Sequence, residues 1–255
     1  MNPVPSLLIL TPMKSAARYL DRYFENLAGL DYPKDRLSLG ILEGDSDDST
    51  WAVLQARLAG GFAGFARVSL THRDFGFRIP AGVPRWSAGL QPARRAVLAR
   101  ARNHLLFRAL ADEEWVLWLD ADVIDYPADI IQRLLGVGRG IVQPNCVLVP
   151  GGPSFDRNAW TNGGAEHLSD RRGEHLIRLE SVGGTMLLVR ADLHRDGLVF
   201  PPFFYGNRSP WVRDPHPLRG DNVGEIETEG LAIMAKDMGT ECWGLPDLEI
   251  VHAPD

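Results

Sequence analysis

The sequence predicts an α/β fold with a mostly parallel central sheet flanked by helices. Three observations predict it. Strand-like and helix-like segments alternate from Leu7 to Leu119, the run Trp115–Leu119 is apolar at every position, and no internal repeat or linker interrupts the chain. A single domain over residues 1–255 is therefore expected.

The first apolar run, Leu7–Leu10, reads as a strand that ends at Thr11-Pro12. Residues 16–30 follow as a helix, because Leu20, Tyr23, Phe24 and Leu27 recur at helical spacing, and Asp31-Tyr32-Pro33 stops it. Residues 37–42 form a second strand. It runs into the acidic, hydroxyl-rich loop Glu43-Gly44-Asp45-Ser46-Asp47-Asp48-Ser49-Thr50, and Ser49 or Thr50 is placed to cap a helix over residues 51–58. Residues 68–71 are a third strand candidate, and Asp74–Gly89, rich in Gly, Pro and aromatics, a long surface loop. A strong helix over residues 93–110 leads to Trp115–Leu119, whose unbroken apolar character suits a central strand covered on both faces.

The second half is less regular. Strands are expected over residues 140–148, 176–179, 186–189 and 248–251, with a polar loop at 151–164 and a second long loop at Pro201–Val223. A helix is expected over residues 227–238.

The net charge of −6 excludes the basic face of a nucleic-acid binder but not an anionic small substrate, because a bound cation can supply local positive charge. Cys146 and Cys242 match no metal or redox spacing and read as two buried free thiols. No apolar run approaches the roughly 20 residues of a membrane span, and the start Met1-Asn2-Pro3-Val4-Pro5 lacks a signal peptide's charged region. A soluble, cytoplasmic protein is the expectation.

On parallel sheets ligands sit at the carboxyl ends of strands, where Glu43, Asp45, Asp120 and Asp122 all fall. Asp120-Ala121-Asp122 offers two carboxylates two residues apart, a spacing able to hold one Mg²⁺ or Mn²⁺ whose other ligands come from a nucleotide diphosphate. The alternative is a solvated turn. Glu43 and Asp45 can accept hydrogen bonds from a base or ribose, while Asp47 and Asp48 read as capping residues. Arg95 and Arg102, seven apart, share a helix face suited to phosphate or carboxylate, although a solvated face is the reading preferred for Arg94 and Arg95. Gly183-Gly184-Thr185 allows close backbone approach to a ligand or a tight strand connection. Glu227-Thr228-Glu229 opens a helix, where the dipole alone favours acids. His252 is either structural or, near two aspartates, a third metal ligand.

Several segments together resemble the fungal mannan-polymerase subunit family of α-mannosyltransferases (glycosyltransferase family 62). They are LTPMKSAARYLDRYFENLAGLDYP, LGILEGDSDDST, RRAVLARARN, WVLWLDADV, VGGTMLLVRADLHRDGLVFPPF, and IETEGLAIMAKDMG followed by GLP. The resemblance implies a GT-A fold, a nucleotide-sugar donor such as GDP-mannose, a divalent cation (Mn²⁺ or Mg²⁺), retention of anomeric configuration, and a hydroxyl acceptor. Residues 1–122 would form the nucleotide-binding half and 123–255 the acceptor-side half. By position, Asp120 and Asp122 match the family's metal-binding DxD, and His252 the C-terminal metal-binding histidine. Thr11, Pro12, Glu43, Asp45, Asp74, Arg102, Asp120, Ala121, Gly183 and Gly184 would border the nucleotide-sugar, with Gly183-Gly184-Thr185 as the glycine loop near the acceptor. Glu227 or Glu229 would be the catalytic acidic group on the acceptor side. The loops Asp74–Gly89 and Pro201–Val223 would frame the acceptor cleft and order on donor binding.

Two rivals remain at this point. Asp120-Ala121-Asp122-Val123-Ile124 also resembles the nucleophile motif of haloacid-dehalogenase phosphatases, which follows a first strand rather than a later one. An inactive subunit that binds a partner glycosyltransferase is the non-enzymatic alternative, and homo- or hetero-oligomers fit either reading.

Overall fold

Leu7–Met13 (β1) and Leu37–Glu43 (β2) are buried at almost every position, as their largely apolar composition suits strands covered on both faces. Between them runs α1 (Leu20–Ala28), entered through a single 3-10 turn, with Leu20, Tyr23, Phe24 and Leu27 turned inward. Each fully buried leucine contributes roughly 1.5–3 kcal/mol relative to exposure. The computed structural model describes residues 4–80, 82–84, 87–207, 209–212 and 223–254.

The chain continues through α2 (Thr50–Leu58), β3 (Arg67–His72), α3 (Gln91–Ala109), β4 (Trp115–Leu119), β5 (Val123–Asp125) and α4 (Ile130–Gly136). Then come β6 (Ile141–Val147), the short hairpin β7 (Trp160–Thr161) and β8 (Glu166–His167), β9 (Ile177–Leu179) and β10 (Met186–Arg190). Finally come α5 (Ala191–Arg195), α6 (Glu227–Asp237) and β11 (Cys242–His252).

A nine-stranded sheet carries this order, β3-β2-β1-β4-β10-β6-β11-β5, with β9 also paired to β11. β1, β2, β3, β4, β6 and β11 run in one direction; β5, β9 and β10 run against them. The insertion of β10 between β4 and β6 brings the start of β10 to the same sheet edge as the carboxyl ends of β1, β2, β4 and β11. That edge is where the acidic residues collect.

The two sides of the sheet hold separate cores. Along β1, Leu7 and Ile9 pack with α1, α2 and α4, whereas Leu8 and Leu10 pack with α3 and α6, as the two-residue period of a strand requires. β4 is buried from Val116 onward, between β1 and β10. Cys146 and Cys242 are free and buried, as expected.

The structure differs from the sequence reading in particulars. β5, α4, α5 and the β7–β8 hairpin are too short for periodicity to reveal. β11 starts six residues before the expected strand; its register shifts between Leu245 and Glu249, across Pro246, which has no N–H for the ladder. Ser49 occupies the N-cap of α2 without a side-chain bond, and Asp48 instead accepts the Thr50 N–H at 2.9 Å. In the loop Asp74–Gly89 the described residues carry one 3-10 turn, Ala88–Leu90, whose Ala88 and Gly89 complete the loop. Residues 208 and 213–222 of the second loop, and with them most of its expected role at the cleft, lie outside the described residues.

Candidate active site

Asp120 leaves β4 with its backbone N–H donated to the Thr185 carbonyl at 2.9 Å, a contact that fixes it against the start of β10. Partial burial pushes its carboxyl up to about 7, the Asp122 carboxylate adding to the shift and Arg102 opposing it. Asp122 meets the imidazole of His252, Oδ1 to Nε2 at 3.2 Å. The Nδ1 of His252 lies 2.5 Å from the Ala253 carbonyl, which can only accept; Nδ1 therefore carries a proton and Nε2 faces the aspartate. Burial alone would lower the His252 pKa, but the bond and charge of Asp122 raise it. Phe155 stacks on the ring with centroids 4.1 Å apart. Among the described residues no three His, Cys, Asp or Glu side chains are grouped so as to enclose a metal ion by themselves.

Arg102, on α3, is buried and joins the two halves of the site. Its Nη1 donates to Glu227 Oε1, and its Nη2 lies 3.4 Å from both Asp120 Oδ1 and the Gly184 carbonyl. Arg95, one face-repeat earlier, donates to Glu229 Oε2 at 2.6 Å and to the Ile226 carbonyl at 2.7 Å, and its Nε lies 3.6 Å from Glu227 Oε2. The two arginines seven apart thus share a face and converge on Glu227. The solvated-face reading of Arg95 is overturned, because its side chain is only 15% exposed. Glu227 itself is buried with φ of 61°, a strained conformation for a side-chain-bearing residue, and Thr228 donates to its Oε2 at 3.1 Å. Glu229 also accepts the indole N–H of Trp160 at 3.2 Å.

The glycine pair has a steric basis different from close approach to a ligand. A Cβ at Gly183 would fall 1.8 Å from the Asp156 carboxylate, and one at Gly184 would fall 2.3 Å from Arg102 Nη2. Both positions make room for side chains of the site. Asp156, which sequence reasoning missed, accepts from the backbone and hydroxyl of Thr185 at 3.2 and 3.0 Å. It sits in the polar segment after β6 with no motif around it, so only its packing against Gly183 identifies it.

Two clefts meet at Arg102 and Asp120. One, about 370 Å³, is bordered by Pro12, Lys14, Asp45, Ala121 and Asp122; the other, about 340 Å³, by Asp156, Gly184, Thr185, Glu227 and Glu229. Arg94, Leu98, Arg102 and Asp120 line both, with Arg94 half-buried at their junction. Lys14, not anticipated from sequence, donates to the Phe77 carbonyl at 2.8 Å. Other expected residues sit behind the first cleft. Thr11 is fully buried and bonded to the Tyr23 hydroxyl at 2.6 Å, and Glu43 is held by His72 Nδ1 at 2.6 Å. Asp74 accepts the Asp45 N–H at 2.6 Å. Burial would raise the Asp45 pKa, but bonds from Phe75, Gly76 and Arg78 bring it below the usual carboxylate range. These contacts shape the loop that roofs the cleft. The phosphatase placement fails on topology: Asp120 follows the fourth strand of the chain, with three parallel strands before it.

The fold is that of GT-A glycosyltransferases. It is similar to mannosyltransferase PcManGT of Pyrobaculum calidifontis, solved with GDP-Man and Mn²⁺ (TM-score 0.58, 20% identity, 99% of this chain and 58% of that one). It is also similar to TarS 1–349 of S. aureus, solved with UDP (TM-score 0.56, 13% identity, 98% and 61%). The chain therefore spans less than two thirds of either solved chain.

Curated relatives are more similar in sequence. Mannan polymerase complex subunit mnn9 of Schizosaccharomyces pombe is 30% identical over 287 residues, 96% of this chain and 79% of that protein. Subunit MNN9 of Candida albicans is 28% identical, covering 99% and 76%. The cytoplasmic expectation is overturned by these relatives, which are subunits of mannan polymerase complexes. Among the described residues no helix is long and apolar enough to cross a membrane. The Anp1 family model matches residues 2–170 and 164–204, well over half of the sequence, and the chain belongs to the Anp1 family.

Proposed function

We propose that this chain is a metal-dependent retaining hexosyltransferase that moves mannose from GDP-mannose to a hydroxyl of a carbohydrate acceptor. One observation carries the reading: a single buried arginine, Arg102, spans from Asp120 in the first cleft to Glu227 in the second. The mannan polymerase subunits among the relatives support mannose as the sugar, and the GDP-Man and Mn²⁺ bound by PcManGT support the donor class.

The residues present fit a divalent cation. Asp120 and Asp122 are hard oxygen donors, and His252, with its Nδ1 proton committed to a carbonyl, presents Nε2 to the same place. Because these side chains do not by themselves enclose an ion, diphosphate oxygens would complete its coordination. A cation held there would neutralise charge developing on the departing diphosphate.

The chain's own residues do the rest. Lys14 and Arg94, at the rim of the first cleft, suit the diphosphate, and Ala121 leaves space beside it. Glu227, held between Arg102 and Arg95, faces the second cleft, where its carboxylate would steady positive charge on the sugar ring. Glu229 is placed to orient the acceptor hydroxyl, and its own orientation is set by Arg95 and Trp160. Residues 1–122 line the first cleft, with His252 beside it, whereas the second cleft draws on both 1–122 and 123–255 within one domain.

The test is titration of GDP and UDP with Mn²⁺ and with chelator, followed by NMR of the product from GDP-mannose. Metal-dependent binding of GDP and an α-linked product support the reading. Because the relatives are named as complex subunits, a non-catalytic subunit is the second reading, and absence of nucleotide binding under every condition would favour it.

A further inference from the structure

A third, larger cleft of about 680 Å³ lies apart from the proposed transfer site, between the β7–β8 hairpin, β9 and the last turn of α6. Trp211 forms one wall and remains 48% exposed. The ammonium of Lys236 sits 5.6 Å from the ring centroid and holds the ring in place.

The other groups around it are charged, but they cancel. Arg171 pairs with Glu174 at 2.5 Å and Arg178 with Glu241 at 3.4 Å, while Lys236 and Glu180 add one charge of each sign to the lining. No net field is left to attract a phosphate or a cation. What remains is a flat apolar surface ringed by hydrogen-bonding groups, including a buried Glu241 Oε2 with no partner. A neutral polyhydroxylated ring, with one apolar face of C–H groups and a rim of hydroxyls, matches that combination.

We propose that this cleft is a carbohydrate subsite that takes a neutral oligosaccharide, with a hexose ring lying against the Trp211 indole. It connects to the transfer site through two elements. Trp160 bonds Glu229 on one side, and its neighbour Thr161 lines the third cleft on the other. Along α6, Lys236 stands seven residues beyond Glu229, roughly 10 Å of helix rise. A glycan chain extending from the acceptor cleft, or a separate branch, would be gripped here. The proposal rests on the transferase reading only for its choice of sugar.

The experiment uses the full chain without nucleotide. α-Linked mannotriose is titrated by calorimetry and by NMR of the tryptophan indole N–H signals, that of Trp211 being assigned from its loss in Trp211→Phe. The expected result is a shift of the Trp211 signal and binding weakened about tenfold in Trp211→Ala, the scale of losing an aromatic anchor. Trp211→Phe and Asp120→Ala should bind as the unaltered chain does. An unmoved Trp211 signal, or binding lost in Asp120→Ala but kept in Trp211→Ala, would overturn the proposal. GDP titration with Mn²⁺ is run in parallel. Its failure counts against the transferase reading and leaves the mannotriose result standing.

Discussion

A Cβ on residue 184 would lie 2.3 Å from Arg102 Nη2, so Gly184 and Arg102 coexist only because position 184 has no side chain. Gly184→Ala is therefore expected to push the guanidinium off Asp120 and Glu227. Overpacking of this kind costs about 1–3 kcal/mol. Thermal melting should register that loss, and mannosyl transfer should fall further than stability does, because the displaced group sits where the clefts meet.

Removing the guanidinium altogether leaves Glu227 buried with only Arg95 and Thr228 beside it. Arg102→Ala should destabilise by about 3–5 kcal/mol, the usual cost of breaking a buried pair. Glu227→Gln keeps the shape but removes the charge. It should lower kcat while leaving GDP affinity nearly unchanged, and loss of both together would place Glu227 on the donor side instead.

His252→Ala removes the Nε2 facing Asp122 and the stacking partner of Phe155. Manganese-dependent GDP binding should weaken at least about tenfold, while weak binding in chelator stays the same. An equal loss in both conditions would mean that the ring supports the fold and not a cation.

His194 sets a pH limit on stability. Burial pushes it down to about 4, with Nδ1 donating to the Leu198 carbonyl at 2.7 Å and Nε2 accepting the Trp118 indole N–H at 3.2 Å. An unfolded histidine titrates near 6.5. Between those values the unfolded chain holds the proton and the folded chain does not, so stability is full above about 6.5 and declines as pH falls toward 4, by up to roughly 3 kcal/mol. Urea unfolding at several pH values should show the decline, and His194→Gln should flatten it.

The long elements were legible because burial imposes a period. Leu20, Tyr23, Phe24 and Leu27 reveal α1, and Trp115–Leu119 reveals β4 and the place of Asp120. Asp120, Asp122 and His252 were legible as candidates because they stand at strand ends, and Glu227, Glu229 and Gly184 because they lie in short local motifs. Asp156 and Lys14 were not, since neither carries a local pattern and each reaches the site through a loop. Arg95 misled for a different reason: a charged residue on an arginine-rich helix looks solvated until the acidic start of α6, more than a hundred residues later, closes over it.

Arg94, Leu98 and Arg102 recur four residues apart along α3, and all three border both clefts. That stripe is a party wall, and it limits how far the two specificities can be redesigned separately. A change of sugar or base preference is best sought at Phe77 and Ile79, which border only the first cleft, and a change of acceptor at Pro92 and Asn158, which border only the second. Substitutions on the wall itself will alter both preferences at once.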